Sequence, residues 1–154
     1  MIKIPNFKTL HITDIVCDYN GTIATDGMLL PKVKALFTEL SKEYKIHVIT
    51  ADTFGTVAKE LDDCDVEIKI LASQDHTKEK AAYIQHLGAD NCVALGNGNN
   101  DKEMLLNAVL GIAIIGDEGC SKDTLLNADI FFTDITDALS AFLHTKRLIA
   151  SLRN

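Results

Sequence analysis

The sequence predicts an α/β fold built on a mostly parallel sheet. Two observations carry the prediction. Short apolar runs alternate with longer amphipathic stretches along nearly the whole chain, and the apolar runs are continuous rather than alternating. Strands that read as unbroken hydrophobic runs are buried on both faces, as they are in parallel sheets covered by helices on either side. The chain has 154 residues, the size of one ordinary domain, and 47% of them are apolar against 24% charged. That balance suits one packed core, and the expected organisation is a single domain over residues 1–154.

The elements follow in order. His11 to Tyr19 (HITDIVCDY) reads as a buried strand. Ile23 to Leu30 leaves room for only a small hairpin. Pro31 to Tyr44 begins with proline, which is preorganised for a first helical turn, and its Val33, Leu36, Phe37 and Leu40 share a face. Lys45 to Thr50 (KIHVIT) is the second strand. Thr53 to Asp62 is a short helix, with Asp52 or Thr53 as its N-cap. Val66 to Leu71 is the third strand. Thr77 to Leu87 is a helix stopped by Gly88. Cys92 to Leu95, Leu110 to Ile115 and Ile130 to Thr133 are further strands. They are separated by helices over Asp101 to Ala108 and Ser121 to Asn127. One or two closing helices cover Asp134 to Leu152.

Composition narrows the function. The formal net charge is −7, which repels a phosphate backbone and argues against non-specific nucleic-acid binding. No run approaches the ~20 apolar residues of a membrane span, and the N-terminal stretch lacks an uninterrupted apolar segment. A cytoplasmic protein is expected. The four cysteines (Cys17, Cys64, Cys92, Cys120) are widely spaced, a pattern that favours buried reduced thiols over disulfides or a zinc site. The histidines are scattered, and His47, inside a strand, reads as a satisfied structural residue.

In parallel α/β sheets, ligands bind at the carboxyl ends of the strands. The chemistry-bearing residues fall there. The first strand is followed by Asp18-Tyr19-Asn20-Gly21-Thr22, the second ends in Thr50-Ala51-Asp52, and the fourth runs into Gly96-Asn97-Gly98-Asn99-Asn100-Asp101. Lys78 and Lys80 open a helix. A carboxylate can act as nucleophile. Hydroxyl, amide and ammonium groups hold phosphoryl oxygens. Carboxylates with a carbonyl hold Mg²⁺.

These four segments, VCDYNGT, VITADT, TKEK and ALGNGNND, resemble the four motifs of the haloacid dehalogenase (HAD) superfamily, in the family's order. GNGNNDKEMLLNAVLGIAIIGDEG is similar to the hinge region of P-type ATPases. The resemblance covers about Ile12 to Asp134. It implies a three-layer α/β/α Rossmann-like fold with Asp18 as phosphate-accepting nucleophile and Thr50 as phosphoryl-binding hydroxyl. Lys80 is implied as the charge-neutralising lysine, with Lys78 as the alternative. It implies Mg²⁺ held by Asp18, the Asn20 carbonyl, Asn97 and Asp101.

Two positions depart from the pattern. Asn20 stands where phosphatases of the family carry a general acid/base, and an amide cannot transfer that proton. Asn97 stands where the family has a charged metal ligand. Both precede glycine, so deamidation would regenerate acids. The segments between motifs are too short for a cap domain. An uncapped site suits a large phosphorylated substrate or cover from a second copy in a homo-oligomer. The implied activity is a slow Mg²⁺-dependent phosphohydrolase. A non-catalytic phosphate- or partner-binding protein is the alternative, and the absence of membrane helices and of a nucleotide-binding insert argues against an ion pump.

Overall fold

The computed structural model describes residues 1–52 and 55–154. The strands are β1 (Ile2–Lys3), β2 (Thr9–Leu10), β3 (Asp14–Asp18), β4 (Ala24–Thr25), β5 (Met28–Leu29), β6 (Lys45–Thr50), β7 (Glu67–Ile70), β8 (Cys92–Gly96), β9 (Leu110–Ile114) and β10 (Ile130–Phe132). The helices are α1 (Val33–Leu40), α2 (Val57–Glu60), α3 (His76–Leu87), α4 (Lys102–Asn107), α5 (Lys122–Asn127), α6 (Ile135–Ser140) and α7 (Lys146–Leu152).

Six strands form one parallel sheet in the order β10-β9-β8-β3-β6-β7. The chain starts in the middle at β3, builds outward through β6 and β7, then returns to the other side of β3 with β8, β9 and β10. That reversal puts the topological switch point between β3 and β8, where a crevice opens at the carboxyl ends. The pleat sends alternate residues to opposite faces. Ile15 and Cys17 of β3 join Val48, Val93, Leu95 and Ile112 in a core that includes α1, α6 and α7. Val16 joins Ile49, Ala94 and Ala113 in a second core against α3 and α4. Every residue of β3, β8 and β9 is buried, which is why each reads as an unbroken apolar run.

The expected small hairpin is present as β4–β5, paired antiparallel with Ala24 opposite Leu29. Several details differ from the sequence reading. Pro31 does not open α1: the helix starts at Val33, and Lys32 before it takes a left-handed φ of 70°. The second helix is confined to α2 and its N-cap is Thr56 rather than Asp52, whose Oδ1 nonetheless accepts from the Val57 N–H at 3.2 Å. Thr53 lies outside the described residues. The antiparallel β1–β2 pair has no counterpart in the sequence reading, because two-residue strands are too short to show a period. Of the cysteines, all four are free thiols, but only Cys17 and Cys92 are buried.

Candidate active site

Asp18 ends β3, the central strand, and is 8% exposed. Its Oδ1 accepts a hydrogen bond from Lys80 Nζ at 2.7 Å, and its Oδ2 accepts from Thr22 Oγ1 at 3.0 Å. Thr22 is brought back over Asp18 by a tight loop in which Thr22, Ile23 and Ala24 all donate to the Tyr19 carbonyl. Gly21 in that loop has φ 83°, and a side chain there would collide with the Asn97 amide, so the first and fourth motifs touch only because this residue is glycine.

Of the two lysines, Lys80 is the one that meets Asp18. It is 2% exposed and its ammonium also reaches Asp101 Oδ1 at 2.7 Å and Asn100 Oδ1 at 3.2 Å. Lys78 is exposed and lies 4.0 Å from Asp75. Burial pulls the pKa of Lys80 down, but Asp18 and Asp101 outweigh it and hold it above the usual lysine value. The lysine is therefore a fixed cation.

Asp101 has no exposure and does not face the crevice. Its Oδ2 accepts from the N–H groups of Asn97 and Gly98, both at 3.0 Å, while Oδ1 is taken by Lys80. Burial, helped by the charge of Asp18, pushes its pKa up to about 6 against the pull of Lys80. Asp101 was expected among the metal ligands; here one of its oxygens meets Lys80 and the other meets two backbone N–H groups. Its work is to hold Lys80 and to shape the Asn97–Gly98 turn. Gly96 permits this, since a Cβ there would sit 2.5 Å from the Asp101 carboxyl carbon.

A cavity of about 270 Å³ opens over this floor, lined by Asp18, Asn20, Thr50, Lys80, Asn97 and Asn100, among others. Thr50 is 4% exposed, and its hydroxyl oxygen accepts from the Asp52 N–H at 3.0 Å. That leaves its proton to donate into the cavity. The Asn20 amide oxygen accepts from the Gly27 N–H at 2.9 Å. Asn20 thus pins the β4–β5 turn. Asn97 Oδ1 accepts from Thr22 Oγ1 at 3.2 Å, and its Nδ2 donates to the Gly119 carbonyl at 3.1 Å.

The residues present fit a hard divalent cation, held weakly. Asp18, Asn20 and Asn97 offer oxygen donors, the kind Mg²⁺ requires, and all three line the cavity. Only Asp18 among them carries charge, and no group of three or more His, Cys, Asp or Glu suited to a metal occurs among the described residues.

Two cavity-lining residues escaped the sequence reading, His76 and Glu118. His76 had a signal: it stands four residues before Lys80, on the same helical face. Glu118 lies on the turn after β9, and nothing in the sequence announced that this turn folds toward Asp18.

No family model matches the sequence. The backbone is similar to a 3-deoxy-D-manno-octulosonate 8-phosphate phosphatase from Moraxella catarrhalis, solved with magnesium and phosphate. The TM-score is 0.70 at 16% identity, covering 94% of this chain and 88% of that one. It is also similar to the cobalt-bound deoxy-D-mannose-octulosonate 8-phosphate phosphatase from Haemophilus influenzae, with TM-score 0.69, 10% identity and coverage of 87% and 88%. The catalytic domain of a CPx-ATPase, CopB-B, matches at TM-score 0.60 and 22% identity, covering 73% of this chain and 44% of that one. The chain therefore has the HAD fold, with β4–β5 in place of a cap domain among the described residues. Within that fold it belongs to the same family as two uncharacterized proteins of Methanocaldococcus jannaschii. One is 52% identical over 62 residues, 40% of this chain and 67% of that protein. The other is 46% identical over 39 residues, 25% of this chain and 89% of that protein. No helix is long and apolar enough to cross a membrane among the described residues.

Proposed function

We propose that this protein is a Mg²⁺-dependent phosphohydrolase that acts through an aspartyl phosphate on Asp18. The observation that carries the reading is the Asp18–Lys80 pair at 2.7 Å on the floor of an open cavity. Asp18 is short of solvent, fixed by Thr22 and Lys80, and lines the cavity in which a phosphoryl group would sit. Thr50 and Lys80 supply hydrogen-bond donors to the phosphoryl oxygens. Bound Mg²⁺ would offset the remaining phosphoryl charge, with Asp18, the Asn20 carbonyl and Asn97 as its protein ligands. Asp18 forms the bond to phosphorus and the ester oxygen departs; water then releases phosphate and restores the carboxylate.

Asn20 cannot serve as the proton donor, and Asn97 brings no charge. Both slow the reaction, and both favour the second reading, a phosphate-binding protein without turnover. Phosphate release from p-nitrophenyl phosphate, with and without Mg²⁺ and beside Asp18→Asn, tests the two. Release that needs both Mg²⁺ and Asp18 is the expected result. Release equal to that of the variant defeats the enzymatic reading.

A further inference from the structure

The loss of an acid at position 20 leaves a question of proton supply, and α3 bears on it. Helices that follow parallel strands run back across the sheet, so α3 begins at the carboxyl edge, where the cavity opens. His76 is its first residue and Lys80 lies one turn further in. Side chains four apart stack on one face, ~6 Å from one another. With Lys80 bonded to Asp18 on the cavity floor, His76 is one turn nearer the start of α3. It is half-buried and lines the same cavity. It is the one imidazole among the described lining residues, and its ring makes no hydrogen bond to another described residue. The charged groups around it are Asp18, Lys80 and Glu118 in the cavity, and Asp75 and Glu79 beside it in the chain. An imidazole is the side chain best suited to give and take a proton near neutral pH.

We propose that His76 is the general acid/base of this site, in the role Asn20 cannot fill. This rests on the phosphohydrolase reading. In the first step, an Asp18 oxygen forms a bond to phosphorus and the bond from phosphorus to the ester oxygen breaks. The departing oxygen takes the proton of the His76 imidazolium and leaves as an alcohol. In the second step the neutral imidazole takes a proton from water as the water oxygen bonds to phosphorus. The bond to Asp18 breaks, inorganic phosphate leaves, and carboxylate and imidazolium are restored. An alkyl ester, whose alkoxide is a poor leaving group, depends on that proton. A p-nitrophenyl ester does not, because p-nitrophenolate leaves unprotonated.

The experiment compares kcat/KM for glycerol 2-phosphate and p-nitrophenyl phosphate in the full chain, with His76→Asn, Asn20→Asp and the double variant. kcat/KM reports the steps up to leaving-group departure. General acid help is typically worth about 10²–10⁴ in rate. His76→Asn is expected to lower the alkyl value by at least about 100-fold, and the aryl value at least about tenfold less than that. Asn20→Asp is expected to restore the alkyl rate in the double variant. His86→Asn, an exposed histidine on the same helix, serves as the control and is expected to change neither. Equal losses on the two esters would make His76 a positioning residue and overturn the proposal, as would no loss on either. Absence of any Asp18-dependent turnover in the unaltered protein would instead sink the phosphohydrolase reading itself.

Discussion

Strand β3 carries a buried carboxylate at each end, and the two are treated differently. At its amino end, Asp14 Oδ1 accepts from His47 Nε2 at 2.6 Å, and Asp14 Oδ2 from Thr13 Oγ1 at 2.6 Å. His47 is 1% exposed, and its Nδ1 lies 2.8 Å from the Tyr83 hydroxyl. Since a carboxylate can only accept, Nε2 carries the proton of that bond, and Nδ1 is paired with the Tyr83 hydroxyl. At the carboxyl end, Asp18 and Asp101 share Lys80. Each cluster draws on β3 and on α3, through Tyr83 and Lys80 respectively. No described cavity reaches Asp14 or His47, whereas about 270 Å³ opens onto Asp18. The first cluster closes its hydrogen bonds among themselves. The second holds two carboxylates against one ammonium and leaves the surplus negative charge beside an opening. A closed network stabilises; an open one with unbalanced charge is where chemistry is done.

Substitutions separate the two ends. Asp18→Asn should remove at least about 10³ of the turnover, the order expected when a nucleophile is lost. The same change neutralises the charge surplus, so the melting temperature should hold or rise; a fall would show that the charge is not stored strain. Lys80→Met should cost about 3–5 kcal/mol, because it leaves two buried carboxylates facing each other unpaired. Urea unfolding reads that value, and turnover should vanish with it. His47→Leu strands Asp14 and the Tyr83 hydroxyl and should cost about 2–3 kcal/mol, with kcat unchanged. A matching fall in kcat would show that the two ends are coupled. Asn97→Asp should tighten Mg²⁺ binding about tenfold by adding a ligand charge, as measured by titration calorimetry. No change there would place the cation away from Asn97.

The difference also explains what could be read in advance. β3, β6, β8 and β9 are buried on both faces, so their apolar runs were legible, and with them the strand ends bearing Asp18, Thr50 and Asn97. Lys80 was legible through the family resemblance, with Lys78 as the alternative; only the structure shows that Lys80 is the buried one, bonded to Asp18. Asp101 was placed in the right cluster, but its hydrogen bonds there were not legible. Sequence spacing shows that a carboxylate is near a turn; it does not show that two backbone N–H groups and a lysine will occupy its oxygens. His76 and Glu118 were missed for a related reason. Glu118 carries no pattern of its own, and the spacing of His76 from Lys80 gains meaning only from the cavity that β3, α3 and the turn after β9 enclose together. The His47 reading as a satisfied residue agrees with its contacts to Asp14 and Tyr83.

Helix α3 is fastened to both ends of one strand, by Lys80 to Asp18 and by Tyr83, through His47, to Asp14. Those two fastenings are three residues apart, less than one turn. Losing or gaining a single residue between them would swing every later side chain by about 100° around the helix axis, detaching one end whichever way the helix resettled. Length changes should accordingly be rejected within 80–83, while the loop at 72–75, which carries neither fastening, can lengthen or shorten. A library of single-residue insertions and deletions, sorted by soluble yield, would trace that boundary directly.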